Sequence, residues 1–312
     1  MVLNIKRASS LDEATHDIQD VLKPFDHQVG GHTPFTALPN GHLLKPCDER
    51  ELYFYQQMPP ALKAIAPLCC STIQGGSVSS LNDSCSNCRI HQLENVVIPE
   101  SIEGSPILNK RKLSKHFIVI SDLTDRMKSP RILDLKLGTR QHGDHATVAK
   151  IACMTAKCQA TTSAALGIRL CGMKYVCPET HNAVSISKYE GRAMGESQLL
   201  HSLQAFFEVP VEILDEVRRK LTAIREVLCK TKGVRLFGSS LLIVIEGHLE
   251  GNQLPVEDLV RIKVVDFANA TFAGFLGDNF YDGVDDGSIL GLETIDRFLA
   301  RADSSRQFLV MH

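Results

Sequence analysis

The chain has 312 residues, enough for one large two-lobed domain or two small ones. Its 44% hydrophobic and 22% charged content is ordinary for a globular protein, and a formal net charge of −2 argues against a generally basic nucleic-acid binder. No apolar run approaches the ~18 residues of a membrane span, and any polyanion site has to be a local basic cluster.

Met1 to Asp20 has alternating charges and no apolar core, so no secretory signal is expected; residues 1–23 read as a helix and linker on the outside. Residues 24–60 read as strand, turn, strand and helix. His27 to Val29 leads into Gly30-Gly31, and His42 to Pro46 is the next strand. The helix starts near Asp48, a good N-cap, with Glu49 and Glu51 in the favourable first turn. Residues 68–95, rich in Ser, Gly, Asn and Cys, predict a long flexible loop. The ten cysteines form no regular framework and read as reduced thiols. Cys85-Ser-Asn-Cys88 has the spacing of half a zinc site, with Cys69-Cys70 and His91 as further ligands. An adjacent cysteine pair is poor zinc geometry, and the plainer reading is a loop.

His116 to Asp122 reads as a buried strand ending at a polar crossover near 122–126. A helix is expected over 145–158 and a hairpin over 166–176 and 183–189. Leu199, Leu200, Leu203, Phe206 and Phe207 mark a helix. Leu214, Val217, Leu221, Ile224 and Leu228 step by three and four, an amphipathic helix. Leu241 to Glu246 and Arg261 to Phe267 read as strands, and Leu292, Ile295 and Phe298 place the last helix. The pattern fits an α+β chain with an N-terminal lobe (1–122) and a larger C-terminal lobe (123–312) around a kinase-like cleft.

The most informative segment is Pro130 to Gly138, Pro-Arg-Ile-Leu-Asp-Leu-Lys-Leu-Gly. A strand alternates its faces, so Leu133, Leu135 and Leu137 point one way and Asp134 and Lys136 the other. An acceptor and a cation side by side suit a phosphate-bearing ligand. Lys45 lies on an expected strand, six residues before Glu51 on the following helix; taken alone, the two read as unrelated surface charges. Asp266 ends an apolar strand and is a natural Mg²⁺ ligand, because that ion takes hard oxygen and keeps its waters. Lys136, Arg140, Lys150, Lys157, Arg169, Lys174, Lys188 and Arg192 crowd residues 136–192, as an open polyanion site requires. Lys150 and Lys157 are seven apart, hence on one helix face, with Ala149, Cys153 and Ala156 opposite.

Read as Pro-x-x-x-Asp-x-Lys-x-Gly, the segment resembles the signature of the inositol polyphosphate kinases. Further blocks resemble the same family in the same order: Pro24 to His32, Arg50 to Tyr55 with Met58-Pro59-Pro60, Ser239 to Leu242, and Val265 to Ala268. Lys157 to Ser163 and Leu166 to Met173 are most similar to the inositol hexakisphosphate kinases. The resemblance implies a two-lobed fold related to protein kinases and ATP-grasp enzymes, with ATP and Mg²⁺ as cofactors. It implies that Lys45 and Glu51 serve the nucleotide phosphates, that backbone groups at Asp122 and Leu123 meet adenine, and that Asp266 holds the metal. It gives Asp134 the ribose hydroxyls and Lys136 the transferred phosphate; the residues alone also allow Asp134 as a general base. The acceptor falls to Lys136, Arg140, Lys150, Lys157 and Arg192.

The implied activity is phosphorylation of inositol hexakisphosphate, a ligand with roughly a dozen negative charges at ~−1.5 to −2 per phosphate, to a diphosphoinositol product. The alternatives are a multikinase or trisphosphate kinase, and a catalytically weak family member that binds inositol phosphates. The last is favoured by Ser121, where relatives carry Glu, and by Asn269, where many carry His or Lys. Neither nucleic acid nor a membrane span is expected, protein partners are unspecified, and cytoplasm and nucleus are both open.

Overall fold

The computed structural model describes residues 23–31, 33–38, 41–82 and 116–310. The segment over 1–22, and Cys85, Cys88 and His91 of the zinc reading, lie outside them. The first lobe contains β1 (Lys23–Pro24), β2 (Thr36–Leu38), β3 (His42–Cys47), α1 (Glu49–Gln57), α2 (Pro60–Lys63), β4 (Cys69–Gln74), β5 (Ser77–Ser80) and β6 (His116–Ser121). Its strands form one antiparallel sheet in the order β1-β2-β3-β6-β4-β5.

After a turn at Leu123–Arg126 come β7 (Pro130–Leu137), α3 (Val148–Gln159), α4 (Thr162–Leu166), β8 (Ile168–Val176), β9 (Ala183–Ile186), α5 (Lys188–Ala193), α6 (Glu196–Phe206) and α7 (Val211–Lys230). β10 (Ser240–Glu246), α8 (Val256–Leu259), β11 (Val260–Val265) and α9 (Asp286–Val310) complete the second lobe. Its sheet is also antiparallel, in the order β11-β10-β7-β8-β9.

One apolar core runs through both lobes. Leu52 and Phe54 of α1 belong to the same cluster as Leu133, Leu135 and Leu137 of β7, and Leu214, Val217, Leu221, Ile224 and Leu228 of α7. Phe54 stacks on Phe267 just past β11, ring centroids 4.8 Å apart. Between the lobes, Arg50 of α1 pairs with Asp278 at 2.5 Å, and Val264 N–H of β11 donates to Ile65 O. Arg261 Nη1 donates to the carbonyls of Leu123 and Asp125, bracing the turn that joins the lobes.

Three expectations need correction. Residues 69–80 are a hairpin, not a loop: Cys70, Ser71, Thr72 and Ile73 are buried between β6 and β5, and Gly75 and Gly76 turn the chain at positive φ. Small polar residues disguised a strand buried on both faces, although a two-residue Gly-Gly turn is a hairpin signal. His27 to Val29 is turn and open backbone rather than strand, organised by Gln28, whose amide donates to Gly30 O and Thr33 O and accepts from Phe35 N–H. The strand expected over 183–189 stops at Ile186, because Ser187 caps α5 in a capping box with Glu190. On α3 the face opposite the lysines is open: Ala149, Cys153 and Ala156 are exposed, and the helix is seated along Ile151, Met154 and Cys158. Cys158 Sγ donates to Thr139 O at 2.8 Å.

Candidate active site

The cleft between the sheets is lined from above by Phe25, Gln28, Gly30, Phe35 and Lys45, and from below by Ile132, Asp134, Leu242 and Asp266. Lys45 sits on β3 because Pro46 and Cys47 continue an antiparallel pairing with β6 that turns its side chain inward, where it is only 7% exposed. Asp48 then stops the strand and caps α1, accepting Glu51 N–H at 2.8 Å. That cap seats Glu51 one turn into the helix, where Lys45 Nζ donates to Glu51 Oε1 at 2.7 Å and to Asp266 Oδ1 at 2.5 Å. Glu51 Oε1 also accepts Phe267 N–H at 3.1 Å.

Burial works against the Lys45 ammonium, but the carboxylates of Asp266 and Glu51 outweigh it and hold its pKa well above the usual lysine value. Burial likewise pushes Glu51 above its usual range, against the pull of Lys45. Asp266 has φ +65°, left-handed backbone that Asp and Asn tolerate and most residues do not. Ser239 Oγ donates to Asp266 O and steadies that turn. The Asp266 side chain, 35% exposed, keeps one edge open to the cleft.

Three neighbouring strands form the floor. Ser240, Lys136 and Arg169 are directly paired across β10, β7 and β8, as are Leu242, Asp134 and Gly172 in the next row. Lys136 Nζ lies 3.4 Å from Ser240 Oγ. The register shifts between Asp134 and Leu135, leaving Cys171 as the extra residue of a bulge. The bulge matters for the site. Without it Arg169 and Gly172 would point to opposite faces; with it both share the face of Asp134 and Lys136. Arg169 is nine-tenths buried, and its Nη1 has no hydrogen-bond partner.

Asp134 is also buried, with Oδ1 unpartnered. Burial pushes its carboxyl up to about 6, against the pull of Lys136, with Asp266 adding to the rise. Gly30 lies on top of it: a Cβ at Gly30 would come within 1.9 Å of Asp134 Oδ2. Gly172 is pressed in the same way, its absent Cβ 2.2 Å from Val29 O.

The structure thus brings together Lys45, Glu51, Asp134, Lys136 and Asp266, sets Arg169 of the basic cluster, Ser240 and Gly30 beside them, and adds Gly172. At the turn between lobes, Ser121 and Asp122 N–H are taken by Leu68 O and Gly41 O, and the Asp122 carboxylate accepts from Thr124 N–H and Oγ1. Asp122 and Leu123 line the cleft. Ser121 Oγ accepts Leu68 N–H, so it braces the first lobe.

Arg140 is placed elsewhere. Its guanidinium stacks 3.9 Å over Phe237 and donates to Asp144 and Tyr281 in a separate pocket of about 290 Å³ beside the start of α9. It is engaged as a clamp rather than open to an acceptor. Lys150 is exposed on α3, Lys157 Nζ contacts only Met154 Sδ at 3.8 Å among the described hydrogen bonds, and Arg192 keeps a buried Nε without a partner. A Gly within the apolar strand Ile168–Val176 was the signal for Gly172.

The residues suit a nucleotide with a divalent cation. Asp134 Oδ1 is an orphaned acceptor, Gly30 leaves a cradle that a side chain would fill, and Lys45 supplies a buried cation. Among the described residues no group of three or more His, Cys, Asp or Glu side chains could hold a metal by themselves. Asp266 would share such an ion with phosphate oxygens and water, the habit of Mg²⁺ rather than of a closed protein cage. No helix among the described residues is long and apolar enough to cross a membrane.

The chain is 32% identical over 218 residues to inositol hexakisphosphate kinase 2 of Mus musculus, covering 60% of this chain and 49% of that protein. With inositol hexakisphosphate kinase 3 of Mus musculus the identity is 26% over a 373-residue alignment covering 88% of this chain and 93% of the relative. The chain spans about half the length, 49% to 51%, of the kinase 2 relatives from mouse, rat and human. In fold it is similar to the solved inositol phosphate multikinase Ipk2 of S. cerevisiae, with TM-score 0.60 and 21% identity over 83% of this chain and 98% of that one. The family model for inositol polyphosphate kinase matches residues 117–300, from the first residues of β6 into α9 and across the floor of the cleft, and the chain belongs to that family.

Proposed function

We propose that this protein is an ATP-dependent kinase that phosphorylates inositol hexakisphosphate to a diphosphoinositol product, with Mg²⁺ as the working metal. The observation that carries the proposal is the meeting of Lys45 and Asp266 with Asp134 across one cleft, with Glu51 bonded to Lys45 and with Lys136 and Arg169 paired in the strand row beside Asp134. The similarity to hexakisphosphate kinases supports the choice of acceptor. A solved member of this fold in complex with ADP and Mn²⁺ supports the use of nucleotide and a divalent cation.

When bound, ATP supplies the phosphoryl group and the cation offsets its charge; the protein supplies position and electrostatics. Lys45 is the cation for nucleotide phosphates, and Glu51 fixes its direction while Phe267 N–H fixes Glu51. Asp266 holds the metal. Asp134 offers an acceptor to a ribose hydroxyl. Lys136 and Arg169 present positive charge, next to each other, where charge develops on the transferred group and on the acceptor. Lys157 and Arg192 extend the basic surface toward the outer phosphates of the acceptor. The roof at Gly30 and the apolar wall of Ile132, Leu242 and Val244 keep water from the reacting groups.

The test is product analysis after mixing the protein with Mg-ATP and, separately, inositol hexakisphosphate or inositol trisphosphate. A pyrophosphorylated product from the hexakisphosphate, lost in Lys136→Ala, is expected. Turnover of the trisphosphate alone would move the acceptor to a less phosphorylated inositol, and unchanged turnover in Lys136→Ala would overturn the site.

A further inference from the structure

The segment Phe25–Gly31 leaves the edge of the first sheet and crosses onto the second lobe, where it lies against the floor of the cleft. Two contacts show how close it comes: Gly30 over Asp134, and Val29 O over Gly172, each with no room for a methyl group. Inside the segment the only side-chain organiser among the described hydrogen bonds is Gln28. What ties it to the second lobe is a pair of lysines from neighbouring elements. Lys174 Nζ on β8 donates to Asp26 O at 3.2 Å, and Lys188 Nζ at the start of α5 donates to Gly31 O at 3.3 Å. The two bonds lie on either side of the points where the backbone touches the floor. Both lysines come from the stretch whose basic residues suit an acceptor polyanion, yet both ammonium groups are turned to the first lobe.

We propose that Lys174 and Lys188 are latch residues, holding the Asp26–Gly31 strap down on Asp134 so that it retains the nucleotide, and that they are not ligands of the acceptor. The inference rests on the nucleotide-cleft reading above but not on the identity of the acceptor. A strap that covers the nucleotide strengthens binding only to the extent that its closed state is populated. Two hydrogen bonds from exposed ammonium groups are the size of interaction that sets such a balance, each worth roughly two- to tenfold in the closed population. Each lysine is a positioning residue: it acts through the strap and touches neither reacting atom.

The experiment measures Mg-ADP binding by calorimetry, without acceptor, for the unaltered chain, Lys174→Met, Lys188→Met and the double variant. Amide exchange over residues 25–31 is followed in the same proteins. Gly172→Ala serves as an independent lever, because its methyl group pries up Val29 and leaves both lysines in place. The expected result is a rise in the Mg-ADP Kd of roughly two- to tenfold per lysine, faster exchange in the strap, a similar rise in Gly172→Ala, and partial restoration by Lys188→Arg. At saturating Mg-ATP the acceptor KM of the lysine variants should stay within about twofold of the unaltered chain. An unchanged Mg-ADP Kd, with or without a raised acceptor KM, would overturn the latch, and a raised KM would assign the lysines to the acceptor. Tight Mg-ADP binding that depends on the lysines, in a protein that turns over no inositol phosphate, would keep the latch and remove the kinase reading.

Discussion

Asp134 illustrates how a residue can serve the cleft at the expense of the fold. Its carboxyl is buried under Gly30, one oxygen lacks a partner, and its pKa is raised from 3.8 to about 6. Between those two values the folded chain binds more protons than the unfolded one, so its contribution to stability falls as pH rises through that window. The rise corresponds to about 3 kcal/mol at neutral pH. Asp134→Asn is therefore expected to abolish turnover and to raise the unfolding free energy at pH 7 by up to about that amount, with the gain vanishing near pH 4. Denaturant unfolding at the two pH values checks it; a less stable variant at pH 7 would contradict the account. In the unaltered chain, the proposed kinase activity should fall as pH drops below about 6, where Asp134 takes up its proton. Asp266 makes a second contrast. Asp266→Asn should lose metal-dependent activity and lower the Tm, because Asn tolerates φ +65° but leaves the buried Lys45 ammonium with one carboxylate instead of two. Asp266→Glu keeps the charge but should lower stability by about 1 kcal/mol through its backbone. Asp134 was legible from the alternation of the Asp-x-Lys strand and Asp266 from its place at the end of an apolar strand, whereas the six-residue spacing of Lys45 and Glu51 gained its meaning only from the family resemblance. Arg169 and Gly172 sit on the same floor only because Cys171 bulges, and alternation along β8 cannot report a residue that the partner strand skips.

At the scale of elements, α1 couples helix capping to the site. Asp48 Oδ1 accepts the N–H of Glu51, the residue that steers Lys45. Asp48→Ala is expected to cost about 1 kcal/mol and also to raise the nucleotide KM, because fraying the first turn frees Glu51. Thermal unfolding and steady-state kinetics on one sample check both; a loss of stability with an unchanged KM would make the cap merely structural. Amphipathic α7 and the apolar strands β6, β7, β10 and β11 were plain in the sequence, because each buries one stripe or a whole run. The β4–β5 hairpin was not. Cys70, Ser71 and Thr72 are buried by their place in the middle of a sheet rather than by their own hydrophobicity. Helix α3 is only lightly seated: Val148 is 84% exposed, and Cys158 is the buried residue of the helix.

For the whole molecule, the two sheets are separate in hydrogen bonding but not in packing. The core cluster holds α1 residues together with β7, α7 and α9 residues, and Lys45–Asp266 and Arg50–Asp278 add polar ties across the cleft. The lobes should therefore unfold together, as one calorimetric transition with matching van't Hoff and calorimetric enthalpies. Two resolved transitions would show that the lobes are independent. Arg50→Ala should lower the Tm without splitting the transition, because it leaves Asp278, whose side chain is 6% exposed, without its cation.

The stacking of Phe54 on Phe267 has a practical consequence for dissecting the protein. The family match begins at residue 117, which invites expression of that portion alone. Such a fragment would uncover Phe267, Phe272 and Phe275, all of which rest on Phe54, together with the apolar edge of β11 that Ile65 covers. A patch of that kind is sticky. The truncated piece is expected in inclusion bodies, while the chain that retains α1 stays dispersed.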